Sequence, residues 1–338
     1  MRFFLLLASI LALSCNTTQL TYPDAGDDDT GADAGDLPFP VTSRAHIIVE
    51  PSDNGSALIA AINGAKTSVH MTMYLLSSNA VMDALIARKK AGIDVKVVLN
   101  KTFPDPGFDN TPEFNQLAQS GVSVRWAPSA FTYTHAKCVL IDGSQAWIMT
   151  MNLTFSSPTN NREYLVVDDD PADVSEAESI FAADFSGTPA TASRLVVSPI
   201  NARSRLPALI AFATQTLDVE GETLSDAGIV AALQASKKAG VAVRIVVSDQ
   251  MYSFAMLQAI AALKGAGIPI VKLANPYQHA KAIVADAAIP ERAVGYVGSE
   301  NFTQNSIDSN REIGLFLVTD LAKLAATIDA DFKAGTAL

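Results

Sequence analysis

Apolar positions along this chain switch repeatedly between two spacings. In S-A-L-I-A-A-I-N-G-A (56–65) they recur at three and four, one face of a helix, and V-H-M-T-M-Y-L (69–75) reads as a strand. N-A-V-M-D-A-L-I-A-R-K-K-A-G is a second helix, stopped by Gly92. V-K-V-V-L follows as a strand, E-F-N-Q-L-A-Q-S-G as a short helix and V-S-V-R-W as a strand. Three more strands are expected near residues 135–142, 146–151 and 163–167, the first two forming a hairpin. The same order returns from Arg194 onward. Such alternation implies helices layered around a mixed sheet, built twice.

The chemistry-bearing residues repeat with the elements. Y-T-H-A-K-C-V-L-I-D holds His135, Lys137 and Asp142, and Y-Q-H-A-K-A-I-V-A-D holds His279, Lys281 and Asp286. The pattern H-x-K-x4-D thus occurs twice and takes two of the four histidines. After the first copy comes T-M-N-L-T with Thr150 and Asn152; after the second comes G-S-E-N-F-T with Ser299 and Asn301. Eleven residues beyond each asparagine an N-R-E triplet ends in Glu163 and in Glu312. Upstream, A-R-K-K-A-G-I-D-V-K-V-V-L matches A-S-K-K-A-G-V-A-V-R-I-V-V. A lone H-x-K-x4-D arises easily by chance, but matched flanks make the halves two copies of one unit. The offset grows from 144 at the histidines to 149 at the asparagines, and Pro290 marks a longer hairpin turn near residues 287–292.

These residues resemble the phospholipase D superfamily, whose signature is a paired H-x-K-x4-D followed by G-S/T-x-N. The resemblance covers nearly the whole chain after Arg44; the first copy departs by reading M-T-M-N, where Thr150 keeps the hydroxyl. It implies an α/β fold of two phospholipase D-like sandwich halves, packed as a pseudo-twofold pair with the site at the seam. Strand alternation sets His135 and Lys137 on one face, and His279 and Lys281 likewise. Metal-free phosphodiester chemistry needs one group to attack phosphorus and one to protonate the leaving oxygen, and imidazoles titrate in the right range. The resemblance makes His135 the nucleophile and His279 the acid and base. Lys137, Lys281, Asn152 and Asn301 are expected to hold the nonbridging oxygens. Glu163 and Glu312 are expected to orient the imidazoles, and Asp142 and Asp286 to brace the network around them. No cofactor or metal is implied, and two motifs in one chain make a monomer sufficient for one complete site.

Other residues have plainer readings. His70 is expected as a strand residue near the site, Tyr74 and Glu222 as equivalent strand ends lining the cleft, and Tyr133 and Tyr277 as packing groups at its rim. Cys138 is expected inside a buried strand.

Composition changes the picture at the N-terminus. M-R-F-F-L-L-L-A-S-I-L-A-L-S-C reads as a secretory signal over residues 1–14, and A-L-S-C resembles a lipobox that would lipidate Cys15. Asn16 after the cysteine points to a bacterial outer-membrane destination. Residues 15–43 carry Asp24, Asp27, Asp28, Asp29, Asp33 and Asp36 with few large apolar groups, so they are expected as a disordered acidic linker. The two halves then span 44–190 and 191–338. Without Arg2 and those six aspartates, 23 basic groups face 29 acidic ones, a net of −6.

That balance bears on the substrate. Nucleic-acid binding relies on basic surface, so a nuclease of the same superfamily is the weaker reading. The expected tether and the loop K-T-F-P-D-P-G-F-D-N-T-P, with Phe103 and Phe108, favour phospholipid and a membrane surface as partners, through hydrolysis or phosphatidyl transfer. A non-catalytic surface lipoprotein keeping the fold for binding is the third reading.

Overall fold

Each half of the chain builds one sheet, and the two sheets share a strand order. In the first the order is Ala45–Glu50, Asn161–Asp168, Gln145–Met149, Lys137–Ile141, Ser68–Met73, Asp94–Leu99 and Ser123–Trp126. The last three run parallel, and the others pair antiparallel. The second sheet runs Val196–Ser198, Glu312–Leu317, Val294–Gly298, Lys281–Ala285, Thr216–Gly221, Ala242–Ser248 and Ile270–Leu273, closed by a short Thr336–Ala337 strand. The computed structural model describes residues 37–250 and 252–338. The expected signal sequence, Cys15 and the acidic stretch through Asp36 lie outside the described residues.

Local chemistry repeats between the halves. Helix Asn79–Lys90 is capped by Ser78, whose side chain accepts from the Val81 amide, and ends in Arg88, Lys89 and Lys90 before left-handed Gly92. Helix Ala227–Lys238 is capped by Asp226 on the Ile229 amide and ends in Lys237 and Lys238 before left-handed Gly240. The connection after Lys281–Ala285 spans residues 286–293, against 142–144 in the first half, as the offset change implies.

Three apolar layers hold the molecule together. One lies outside the first sheet, where Leu58, Ile62 and Leu85 meet Val69, Met71 and Val97. A second lies outside the other sheet, with Leu206, Ile229 and Met256 over Val219 and Ile245. The third lies between the halves and mixes both, joining Cys138, Ile148 and Phe181 to Val246, Ala282 and Leu324. Fully burying each such side chain contributes about 1.5–3 kcal/mol, so this shared layer fixes one half against the other. Residues 37–43 join the fold instead of ending a linker. Leu37 and Phe39 pack on the second core, Val41 is buried, and the Thr42 amide donates to the Phe316 carbonyl at 2.9 Å. The L-P-F-P-V run supplies the apolar surface that the aspartate-rich stretch lacks.

Candidate active site

The two motifs meet because each is hydrogen-bonded to the N-R-E segment of the other half. The His135 and Ala136 amides donate to the Arg311 carbonyl at 2.8 and 2.9 Å, and the Arg311 amide donates to the Tyr133 carbonyl at 2.9 Å. In the reciprocal place, strand Tyr277–Gln278 joins the first sheet in parallel, with Tyr277 opposite Asn161 and Gln278 opposite Arg162. Crosswise pairing of the backbone delivers the glutamates crosswise. His135 Nδ1 lies 2.8 Å from Glu312, and His279 Nδ1 lies 2.8 Å from Glu163. Both carboxylates are fully buried and multiply satisfied, Glu163 by Thr150 and Asn161, Glu312 by Ser306 and Asn310. Burial works against their ionisation, but the adjoining imidazoles and lysines outweigh it and hold both below the usual range.

His135 and His279 open on one cavity of about 930 Å³ at the seam, together with Asn152 and Asn301. Tyr74, Tyr133 and Tyr277 line it, as do Phe108 and Phe155, which stand 48% and 86% exposed at its rim. The side-chain oxygens of Asn152 and Asn301 are buried without a partner among the described residues. Each motif lysine is fully buried and bonds back to its own histidine: Lys137 Nζ donates to the His135 carbonyl at 2.6 Å, and Lys281 Nζ to that of His279. This fixes the H-x-K turn and aims the ammonium groups beneath the cavity.

The surroundings of His135 act on its protonation. Burial pushes His135 down to about 4, with neighbouring Lys137 and Lys281 adding to the effect and Glu312 opposing it. The ring is therefore neutral near pH 7, with its Nδ1–H donated to Glu312 and its Nε2 lone pair left for the cavity. Burial also pushes Lys137 down to about 7 against the pull of Glu312.

Two expected site residues need correction. Asp142 and Asp286 do not brace the histidines. Each ends its motif strand in a left-handed conformation and caps the turn before the central parallel strand. Asp142 accepts from the amides of Lys66, Thr67 and Ser68 at 2.9, 2.7 and 3.0 Å. Asp286 accepts from Thr214, Gln215 and Thr216 at 2.9, 2.7 and 3.0 Å. Four residues of extended chain between lysine and aspartate put the carboxylate at the far end of the strand, so these residues support the scaffold. The His70 side chain turns from the cavity to pair Nδ1 with Glu178 at 2.7 Å and stacks on Phe181, 4.9 Å between centroids.

Two features escape motif reading. Glu222 enters the site as a third carboxylate, 2.9 Å from Lys281 Nζ, and the only hint in the sequence is its equivalence to Tyr74. The arginines of the N-R-E triplets also cross the seam. Arg311 grips Asp184 at 3.0 Å, and Arg162 grips Asp331, so each half holds the helix of the other. The repeated N-R-E carried that signal in its middle residue.

Comparison with known proteins agrees with this architecture. The family model described as "Cardiolipin synthase, PLD-like domain" matches residues 58–185 and again residues 206–335. The mitochondrial cardiolipin hydrolase of Danio rerio is 25% identical over 116 residues, 34% of this chain and 50% of that protein. Cardiolipin synthase A of Edwardsiella ictaluri is 28% identical over 145 residues, 40% of this chain and 29% of that protein. The chain thus spans half or less of these curated relatives. The crystal structure of phosphatidylserine synthase from Haemophilus influenzae Rd KW20 aligns with a TM-score of 0.67 over 90% of both chains at 10% identity, a likeness of fold. With both copies of the domain matched, the chain belongs to the phospholipase D-like family of phosphodiesterases and phospholipid-modifying enzymes.

Proposed function

We propose that the chain is a phosphodiesterase of the phospholipase D type, acting on phospholipids through a phosphohistidine. The observation that carries this reading is the pair of imidazoles, each held at Nδ1 by a carboxylate of the opposite half and both facing one cavity. His135 Nε2 attacks phosphorus, forming a P–N bond as the bond to the alcohol oxygen breaks. His279 gives its proton to that oxygen. Water then attacks the phosphohistidine while His279 takes back a proton, and the P–N bond breaks to release His135; an alcohol in place of water gives transfer. Lys137, Lys281, Asn152 and Asn301 offset charge on the nonbridging oxygens, with lysine serving as a compact point charge.

Phospholipid is favoured over nucleic acid by the cavity's rim and by charge. Phe108 and Phe155 present exposed rings where a lipid surface would deliver a diester, and the chain carries a net charge of −11. The Danio rerio and Edwardsiella ictaluri relatives are named for cardiolipin, which makes anionic glycerophospholipids the first candidates. Purified protein is incubated without added metal with vesicles of phosphatidylcholine, phosphatidylglycerol or cardiolipin, and separately with single-stranded DNA. Head-group release with intact DNA is expected. Cleaved DNA with intact lipid would replace this reading by the nuclease, and inertness toward all four would favour a binding role. Export and anchoring through Cys15 belong to the same proposal; metabolic labelling with a fatty acid, lost in Cys15→Ala, is the check.

A further inference from the structure

Glu222 breaks the symmetry of the site. It follows the Thr216–Gly221 strand where Tyr74 follows Ser68–Met73, an offset of 148. Tyr74 presents its ring to His135 in a T-shaped contact, 4.5 Å between centroids. Glu222 instead presents a carboxylate, 93% buried, to the equivalent groups of the second half. Its Oε2 lies 2.9 Å from Lys281 Nζ, 3.2 Å from Asn301 Nδ2 and 3.6 Å from His279 Nε2. Its Oε1 accepts from the Tyr277 hydroxyl at 3.1 Å. With Glu163 at Nδ1, His279 has a carboxylate beside each ring nitrogen, whereas among the described residues His135 has Glu312 at Nδ1 alone.

Imidazolium carries two N–H donors and neutral imidazole one. A ring with a carboxylate beside each nitrogen thus has an acceptor near both of its possible donors. The groups facing His279 are Glu163 from the opposite half and Glu222, Lys281 and Tyr277 from its own, with His135 across the cavity. Lysine 281 opposes the cation, but Glu222 engages that ammonium at 2.9 Å and offsets it. The 3.6 Å gap to Nε2 is ion-pair range and too long for a hydrogen bond, so the Nε2–H stays free for a substrate oxygen.

We propose that Glu222 is a positioning residue that holds His279 as imidazolium, making it the acid of the first step and leaving the attack to His135. This rests on the phosphodiesterase reading and adds the source of its direction. In that step the electron pair of His135 Nε2 forms the P–N bond, the P–O bond breaks, and the proton of His279 Nε2 goes to the departing oxygen. His279, now neutral, accepts the proton of the incoming water in the second step, which restores its pairing with Glu222.

The test compares wild type with Glu222→Gln, which keeps the shape and removes the charge. Imidazole ¹⁵N spectra of the full chain are followed against pH, with His279 assigned by its loss in His279→Ala. In the variant the midpoint for His279 is expected to fall by about one to three pH units, the effect of an opposite charge at this range. Two diesters are also assayed. An alkyl ester needs a proton on its leaving oxygen, and its cleavage is expected to slow about 10²-fold or more. A p-nitrophenyl ester leaves as a stable anion, and its cleavage is expected to change little. An unmoved His279 titration, or equal slowing of both esters, would overturn the proposal. If wild type cleaves neither ester, the phosphodiesterase reading fails, and the titration still decides the role of Glu222.

Discussion

The first and second halves of this molecule share one scaffold and differ in the side chains they bring to the cavity. Both use an aspartate cap behind the motif strand, a lysine folded back on its histidine, and a glutamate and an arginine sent across the seam. Apart from the longer connection at 286–293 and the added Thr336–Ala337 strand, notable differences lie at the cavity. Tyr74 faces Glu222, and the buried hydroxyl on Glu163 comes from Thr150 while that on Glu312 comes from Ser306. Duplication by itself yields two equal imidazoles. Displacement at phosphorus needs an unequal pair, a base with a free lone pair and an acid with a proton to give. The shared scaffold can therefore stay symmetric while a few side chains assign the roles.

The largest expected effects break the comparison at the histidines. His135→Ala is expected to lower turnover on every ester by on the order of 10⁴–10⁶-fold, because the proposed mechanism assigns the nucleophile to His135. His279→Ala is expected to cost about 10²–10⁴-fold on alkyl esters and much less on p-nitrophenyl esters. Steady-state assays on both substrates check this, and identical profiles for the two variants would mean the halves are functionally interchangeable.

The seam arginines test whether the symmetric part is structural. Arg311 and Asp184 are both nearly inaccessible, so Arg311→Ala leaves a buried carboxylate unpaired and is expected to cost about 3–5 kcal/mol in thermal or denaturant unfolding. Arg162, 13% exposed, pairs with Asp331 in the equivalent place, and Arg162→Ala is expected to cost less. Equal losses would argue that the two crossings carry equal weight.

A smaller effect separates the lysines. Lys281 is paired with Glu222, while Lys137 has no carboxylate in ion-pair contact among the described residues and is pushed down to about 7. Sulfate keeps one charge state through neutral pH and serves as an anion probe. The protonated lysine is the binding form, so inhibition by sulfate is expected to weaken as pH rises through 7, by up to about tenfold per unit. Lys137→Arg, which stays charged, is expected to flatten that dependence. An unchanged slope would move the anion's main partner to Lys281.

Much of this was legible in the chain because it is local or repeated. Alternating apolar spacings predicted the succession of helices and strands, and the duplicated histidine and asparagine positions predicted four of the residues that line the cavity. What depends on pairing between distant segments was not legible. Glu163 and Glu312 were identifiable as partners of the histidines, but only the crossing of residues 309–311 onto the motif loop shows that each serves the opposite half. Asp142 and Asp286 look like site residues because they close the motif, yet an extended chain carries them away from it. His70 alternates with Val69 and Met71, so its turn toward Phe181 was open to strand periodicity. Comparing the repeats placed Glu222 opposite Tyr74 at the cleft, but its contacts with Lys281, Asn301 and His279 depend on side chains that only the folded chain brings together.

The account stands most directly on where phosphorus becomes attached. Mixing the protein with a p-nitrophenyl phosphodiester, quenching at alkaline pH where phosphohistidine survives, and mapping the modified peptide by mass spectrometry reads this out. A phosphoryl group on His135, with none on His279, is the expected result. Attachment at His279, or release of product with neither histidine modified, would contradict it.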